Sequence, residues 1–418
     1  MKKLMLSLLS FILLITCSKD DKTPALAITS ISPAQGTSGS TINLTGIGFG
    51  TSVSENIVLL NGKTCIVKSA STTQLRITIP IGASTGRLQV TVGNQTAFSS
   101  LFTCEASVYV AGSEAIDATN LTNDVAKYWM NDSAVSLSYI WYSTEANSIF
   151  VTDNDVYVAG SEPIGTNTYY LAMYWKNGTA VRLSDGSKNA SAKSIFVSDN
   201  DVYAAGFEYN GSNLVAQYWE NNTTVSLTDG SKSAVANSIF VSGADVYVAG
   251  VESGEKNNVA KYWKNGTAQS LTDGSKSAGA NSIFVSGADV YVAGREFNGT
   301  NSVAKYWKNR TSVSLTDGSK SATANSIFVS GTDIYVAGVE FNGAKNVAKY
   351  WKNDTAVSLS DGSEEAWANS IFVSGTDVYV AGMEFNRTKS VAKYWKNGFA
   401  VNLTDGLKNA SANSIYVR

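Results

Sequence analysis

No histidine occurs anywhere in the 418 residues. Its absence removes the side chain most often used as a general base and as a metal ligand near neutral pH. No sign of charge dominates either: 32 Lys and Arg stand against 34 Asp and Glu, for a net charge of −2. Such a balance makes no field that gathers a polyanion, so nucleic acid is not an expected partner. Long apolar runs are scarce. The stretch Leu4 to Ile15 is too short for an ordinary membrane span of about 20 residues. Helical periodicity is missing as well, because Gly, Asn and Asp interrupt the apolar pattern every ten residues or so. Three cysteines remain, Cys17, Cys65 and Cys104. Nothing here calls for a cofactor or a metal.

What the chain has instead is repetition. The pair Tyr-Trp ends at Trp129, Trp175, Trp219, Trp263, Trp307, Trp351 and Trp395, spaced by 46 once and by 44 five times. The copy from Asn325 to Ala368 shows the plan. Ser326 to Val329 is a β-rich run, the cluster Ser330 to Asp333 turns, and Ile334 to Gly338 runs back. A second turn falls at Asn342-Gly343, Val347 to Trp351 returns, and Lys352 to Asp354 turns into Ala356 to Leu359. In sister copies that third turn reads Asn177-Gly178, Asn265-Gly266 or Asn397-Gly398, a pair suited to positive φ at both central residues. Each unit therefore reads as a four-stranded meander. A period of 44 built this way is the signature of a β-propeller blade.

The count also predicts how the ring closes. Runs like VYVAG begin at Val108, Val156, Val202, Val246, Val290, Ile334 and Val378. Runs like SIFV begin at Ser148, Ser194, Ser238, Ser282, Ser326, Ser370 and Ser414. The first repeat lacks its SIFV strand, and Ser414 to Val417 has no repeat of its own. Pairing the two gives seven blades over residues 107–418, one of them composite, with no sheet edge left open.

The N-terminal quarter has a different texture. Residues 1–16 read as a targeting segment, with Lys2 and Lys3 ahead of the apolar run. Leu14-Ile15-Thr16-Cys17 resembles a bacterial lipobox, which implies cleavage before Cys17, lipidation of Cys17 and a membrane partner reached through that lipid. Residues 17–24 form a tether, and Ser18-Lys19-Asp20-Asp21 looks like the export signal of Bacteroidetes-type lipoproteins. That resemblance implies an outer-membrane, cell-surface address, with a periplasm-facing one as the alternative. Residues 25–104 hold short alternating strands with Pro and Gly at the turns, an immunoglobulin-like sandwich. The opening Pro33-Ala34-Gln35-Gly36, the strand Ile42 to Gly46, the hairpin Leu60-Asn61-Gly62 and the turn Ile79-Pro80 to Gly86 resemble the IPT/TIG family. The resemblance implies a small adhesive or spacer module with no catalytic residues. Cys65 and Cys104 both fall inside it, and in an exported domain such a pair is either a disulfide or two buried thiols.

The fold class expected is thus all-β: an IPT/TIG sandwich followed by a seven-bladed propeller closed by its C-terminal strand. Candidate ligand residues lie on the face bearing the E-F-N-G hairpins and D-G-S loops: Glu252, Glu296, Glu340 and Glu384, Asn298 and Asn342, Asp273 and Asp317. Carboxylates and amides beside Phe297 and Phe341 are the groups that recognise sugar hydroxyls and a flat ring. The same glutamates could instead pair with the lysine of the A-K-Y-W strand, as Glu340 with Lys349, and the aspartates could merely shape turns. The tryptophans read as blade packing. A glycosidase needs one pair of carboxylates tuned apart, whereas near-identical blades offer equivalent groups suited to repeated weak binding. The expected role is non-catalytic binding of a glycan or protein, with a carbohydrate-active enzyme or a purely structural scaffold as alternatives. Tyr139 to Tyr142 replace the D-G-S loop in the first repeat, an aromatic cluster expected to pack against the sandwich, with a single special site as the alternative.

Overall fold

The computed structural model describes residues 25–80, 83–117, 123–131, 133–138, 143–152, 155–164 and 169–418. Cys17 and Tyr139 to Tyr142 lie outside the described residues. The chain divides into two compact units at Glu105/Ala106. Among the described residues no helix is long and apolar enough to cross a membrane.

The N-terminal unit is a sandwich of two sheets. One has four strands, in the order Ala27–Ser32, Thr41–Ile47, Gln74–Thr78, Ile66–Ala70; the other has five, Gln35–Gly36, Gln95–Cys104, Gly86–Val92, Ile57–Leu60, Lys63–Thr64. The strand Thr41–Ile47 shows why: Ile42 and Leu44 are buried while their neighbours Thr41, Asn43 and Thr45 face water. The same alternation in Gln74–Thr78 and Gly86–Val92 supplies Leu75, Ile77, Leu88 and Val90 to one core.

Of the two readings open for the cysteines the structure has the thiols, not the disulfide: Cys65 and Cys104 are both free. The Cys65 N–H bonds to Val58 O beside the strand Ile57–Leu60, while Cys104 ends the strand Gln95–Cys104. Ile57–Leu60 and Gly86–Val92 lie between them in the sheet. At about 4.8 Å per strand that is a separation on the order of 10 Å or more, beyond the roughly 4.4–6.8 Å Cα reach of a disulfide. Cys65 is buried and Cys104 Sγ donates to Ala83 O at 3.1 Å.

Among its described residues the C-terminal unit holds seven four-stranded sheets. Six run in chain order, for example Ala322–Ser330, Asp333–Phe341, Asn346–Lys352, Thr355–Ser358. The seventh is composite. Ala410–Val417 pairs antiparallel with Val108–Ala115, in a register that sets Val108 against Val417, Tyr109 against Tyr416 and Val110 against Ile415. Blades are numbered here from that composite one, so Glu145–Val151 opens blade two. Each Tyr-Trp tryptophan is fully buried between its own blade and the one before: Trp351 packs with Tyr291, Leu315, Ile327 and Val336. The Asn-Gly turns take positive φ at both residues, 48° at Asn265 and 80° at Gly266.

Residues of the inner strands build the axis, one relationship per position of the motif Asn-Ser-Ile-Phe. A bulge falls between Ala324 and Ser326, which frees Asn325 from the ladder. Its Nδ2 donates to Ala368 O of the next blade at 2.9 Å. Ser326 Oγ accepts from the N–H of Ile371, also in the next blade, at 3.2 Å. Ile327 is buried between blades. Phe328 meets Phe284 and Phe372, with ring centroids 4.9 Å apart on both sides. Repeated seven times, these contacts make a closed aromatic ring of Phe150, Phe196, Phe240, Phe284, Phe328, Phe372 and Tyr416. The innermost strand of a blade has no strand partner on its axial side. The serines satisfy donors that would otherwise be left unpaired there.

Candidate functional site

Two loop types share one face: the hairpins after strands such as Asp333–Phe341, and the connections from one blade to the next. In the hairpin of blade six, Asn342 is a structural hub. Its Oδ1 accepts from the N–H of Ala344 and of Lys345, both at 2.8 Å, and its Nδ2 donates to Gly362 O at 3.1 Å. Asn298 repeats this, accepting from Thr300 and Asn301 N–H and donating to Gly318 O at 3.0 Å. An asparagine closing its own turn this way pre-shapes the loop.

The aspartates hold the connections. Asp317 Oδ1 accepts from Ser319 N–H at 2.8 Å and Ser319 Oγ at 2.7 Å; Asp273 Oδ1 accepts from Ser275 N–H at 2.8 Å. The serine hydroxyl and then its backbone N–H hold both carboxyls below the ordinary range.

Each candidate glutamate has a lysine from the next strand. Glu296 meets Lys305 at 2.6 Å, Glu340 meets Lys349 and Glu384 meets Lys393 at 2.5 Å, and Glu252 pairs with Lys261. Glu and Lys stand on one face of adjacent antiparallel strands, two register positions apart. Glu208 has no such partner in sequence, since blade three carries Gln217 where the others have lysine.

The structure does bring three candidates of different types together. Asp317, Glu340 and Asn342 border a groove of about 390 Å³ between the loop leaving blade five and the hairpin of blade six. Ser319, Lys320 and Phe341 also line it, and Lys320 Nζ donates to Asn342 O at 2.8 Å. One repeat earlier the same positions are Asp273, Glu296 and Asn298. Glu252 differs, because its hairpin reads Ser253-Gly254-Glu255 in place of Phe-Asn-Gly.

The opposite face carries a second repeated cluster that sequence reasoning passed over. Asp333 Oδ2 lies 2.9 Å from Lys352 Nζ, and its Oδ1 accepts from Asn353 Nδ2 at 2.7 Å. Lys352 also sits 5.2 Å from the Tyr335 ring centroid. Asp245, Asp289 and Asp377 repeat the pattern with Lys264, Lys308 and Lys396. The signal was present: every such repeat has Asp two residues before the strand tyrosine and Lys-Asn directly after Tyr-Trp. Among the described residues no three or more Asp, Glu, Cys or His side chains group in a way that could hold a metal.

The fold and face together define an all-β chain: an immunoglobulin-like sandwich followed by a closed seven-bladed propeller. Residues 26–106 match the family model of the IPT/TIG domain. No curated protein matches the chain. Solved structures similar to it include an auxiliary nutrient binding protein from Bacteroides thetaiotaomicron, at 11% identity and TM-score 0.34, covering 94% of this chain and 98% of that one. The β-propeller domain of the Trilobed protease from Pyrococcus furiosus aligns at 8% identity and TM-score 0.43, over 92% and 97% of the two chains. TolB from Acinetobacter baumannii aligns at 10% identity and TM-score 0.39, over 73% and 81%. At these identities and TM-scores nothing about ligand or activity transfers.

Proposed function

We propose that this chain is a non-catalytic binding module of the cell envelope, anchored by lipid on Cys17, that engages a glycan through the grooves between its blades. The groove bordered by Asp317, Lys320, Phe341 and Asn342 carries the reading. It offers charged and amide groups beside an aromatic ring, in a recess of ligand size. Equivalent residues recur every 44 positions, so one extended ligand can meet several weak sites on a rigid ring. The pairing of the glutamates with lysine supports binding over catalysis, because a glycosidase needs carboxyls free to exchange protons with substrate.

A glycan array probed with the purified protein tests this. Binding that falls stepwise as Phe341→Ala, then Phe297→Ala, are combined is the expected result. Turnover of a glycan abolished by one carboxylate substitution would replace the reading with an enzyme. Binding to no glycan would replace it with a protein ligand or a scaffold. The anchor is tested separately: Cys17→Ala should end fatty-acid labelling and release the protein from membranes.

A further inference from the structure

Six of the seven inner strands carry asparagine at the bulge, and each donates to an alanine carbonyl of the next blade at 2.9–3.0 Å. Blade three departs from this, with Lys193 in that place. Instead of continuing the ring, Lys193 Nζ lies 3.1 Å from Glu145 Oε2 of blade two. Glu145 is a departure too. The residues at its position in the other blades are Ser191, Val235, Gly279, Thr323, Trp367 and Ser411. Asn147 Nδ2 and Ser161 Oγ donate to the same Oε2, both at 3.2 Å. Burial pushes the Glu145 carboxyl up, but Lys193 and these hydrogen bonds outweigh it and hold it below the ordinary range.

A cavity of about 340 Å³ opens on this pair, walled by residues of both blades including Tyr170, Phe207 and Tyr209. Lys193 Nζ stands 5.9 Å from the Phe207 ring centroid. Ser191 lines the same cavity. It is 5% exposed, and its Oγ has no hydrogen-bond partner among the described residues. Buried hydroxyls are nearly always satisfied, so one left open at a cavity wall points to a guest that meets it.

We infer that this cavity binds one neutral pyranose ring, a single-copy sugar site between blades two and three. Three features set the chemistry. The Glu145–Lys193 pair is already neutral, so an anionic or cationic ligand would bring an uncompensated charge into a half-buried site. A sugar hydroxyl both donates and accepts, so vicinal hydroxyls can bridge carboxylate and ammonium without separating them. A zwitterionic amino acid would have to pull the pair apart. The aromatic walls supply a flat apolar surface for the ring, and the volume sits at the small end for ligand pockets, which run about 300–1,000 Å³. The inference rests on the binding reading above and narrows it: one site per chain is distinct from the repeated grooves.

Methyl glycosides of glucose, galactose, mannose and N-acetylglucosamine, with glycine and alanine as zwitterionic comparators, are titrated into the purified protein by calorimetry and ligand-observed NMR. Lys193→Asn is the key variant, since it installs the residue six blades already use, and its melting temperature should be unchanged. At least one glycoside should bind once per chain. Lys193→Asn and Glu145→Gln should each weaken it about tenfold or more, the worth of a hydrogen bond to a charged group. Absence of glycoside binding, equal binding by Lys193→Asn, or preference for the amino acids would each overturn the site. Glycoside binding lost in Lys320→Ala but kept in Lys193→Asn would overturn it while leaving the groove reading standing.

Discussion

Ser414 Oγ accepts a hydrogen bond at 3.2 Å from the backbone N–H of Ile149, although 265 positions separate them. The same bond joins Ser148 to Ile195, and so on around the ring to Ser370 and Ile415. The C-terminal strand is therefore both the inner strand of blade one and a link in an axial ring of seven serines. Deleting Ser414 to Arg418 removes Ile415 and Val417, both 4% exposed, and the half-buried Tyr416. At roughly 1.5–3 kcal/mol per large buried side chain the loss is on the order of 5 kcal/mol, against a typical domain stability of about 5–15 kcal/mol. Calorimetry of the truncated protein should show a large drop in melting temperature. Light scattering should show association through the uncovered Val108–Ala115 edge.

Glycine in the VYVAG strand is fixed by the bulge opposite it. A Cβ on Gly250 would sit 2.0 Å from Val235 O, a backbone atom that cannot step aside. Gly250→Ala should therefore cost several kcal/mol, about 3 or more, in denaturant unfolding. Arg310 gives the opposite case. It occupies a hairpin turn at φ 71°, where blade five has no glycine. Arg310→Gly should stabilise by up to about 1 kcal/mol, the strain relieved exceeding the entropy lost.

Acid sensitivity should come from the Asp–Lys–Asn clusters. Hydrogen bonds from Lys264, Lys308 and Lys352 hold Asp245, Asp289 and Asp333 below the ordinary carboxyl range, and Asn397 with Lys396 does so for Asp377. A carboxyl depressed on folding adds stability that is complete above its unfolded value, near 3.9, and vanishes as pH falls through the folded value. The partner lysines Lys264, Lys308 and Lys352 are raised, chiefly by their Asp hydrogen bonds. Their share is complete below about 10.4 and is lost as pH rises through the folded value. Melting temperature should thus be flat from about pH 5 to 9 and fall on both sides. These pairs are well exposed, so 1 M salt should flatten the profile. A fall unaffected by salt would assign it to other groups.

The two thiols should react unequally. Burial pushes Cys65 up to about 12, and raises Cys104 with a smaller contribution from Glu105. Alkylation of the native protein at neutral pH, followed by intact mass, should label Cys104 slowly and Cys65 only after unfolding. A mass showing no alkylation in denaturant without reductant would mean a bridge, contrary to the separation across the sheet.

Blade count, strand order and closure were all legible in the sequence, because pairing within a blade is local and the Tyr-Trp period counts it. The Glu340–Lys349 pair was legible for the same reason, being nine positions apart on one hairpin. The axis was not. Asn325 bonds 43 positions away and Ser326 45 positions away, each with the next blade. Within the β-rich run Ser326 to Val329, Phe328 stands on the axis while Ile327 and Val329 lie between blades. The Lys193 exception was likewise visible as a letter change but meaningless until the asparagine ring gave that position a role. The choice between a disulfide and two thiols at Cys65 and Cys104 was not legible, because sequence carries no distance across a sheet.

The grooves and the cavity between blades need a closed, rigid ring, and one cross-link tests that closure directly. Ser107 and Arg418 exchange backbone hydrogen bonds, so the next pair, Val108 and Val417, is a non-hydrogen-bonded pair. Such pairs hold their Cα atoms about 4.5 Å apart, within disulfide reach. In a Cys65→Ser, Cys104→Ser background, Val108→Cys with Val417→Cys should oxidise quantitatively within one chain, lose two hydrogens by intact mass and melt higher than its reduced form. Two thiols that stay free, or that bridge only between chains, would contradict the closed propeller.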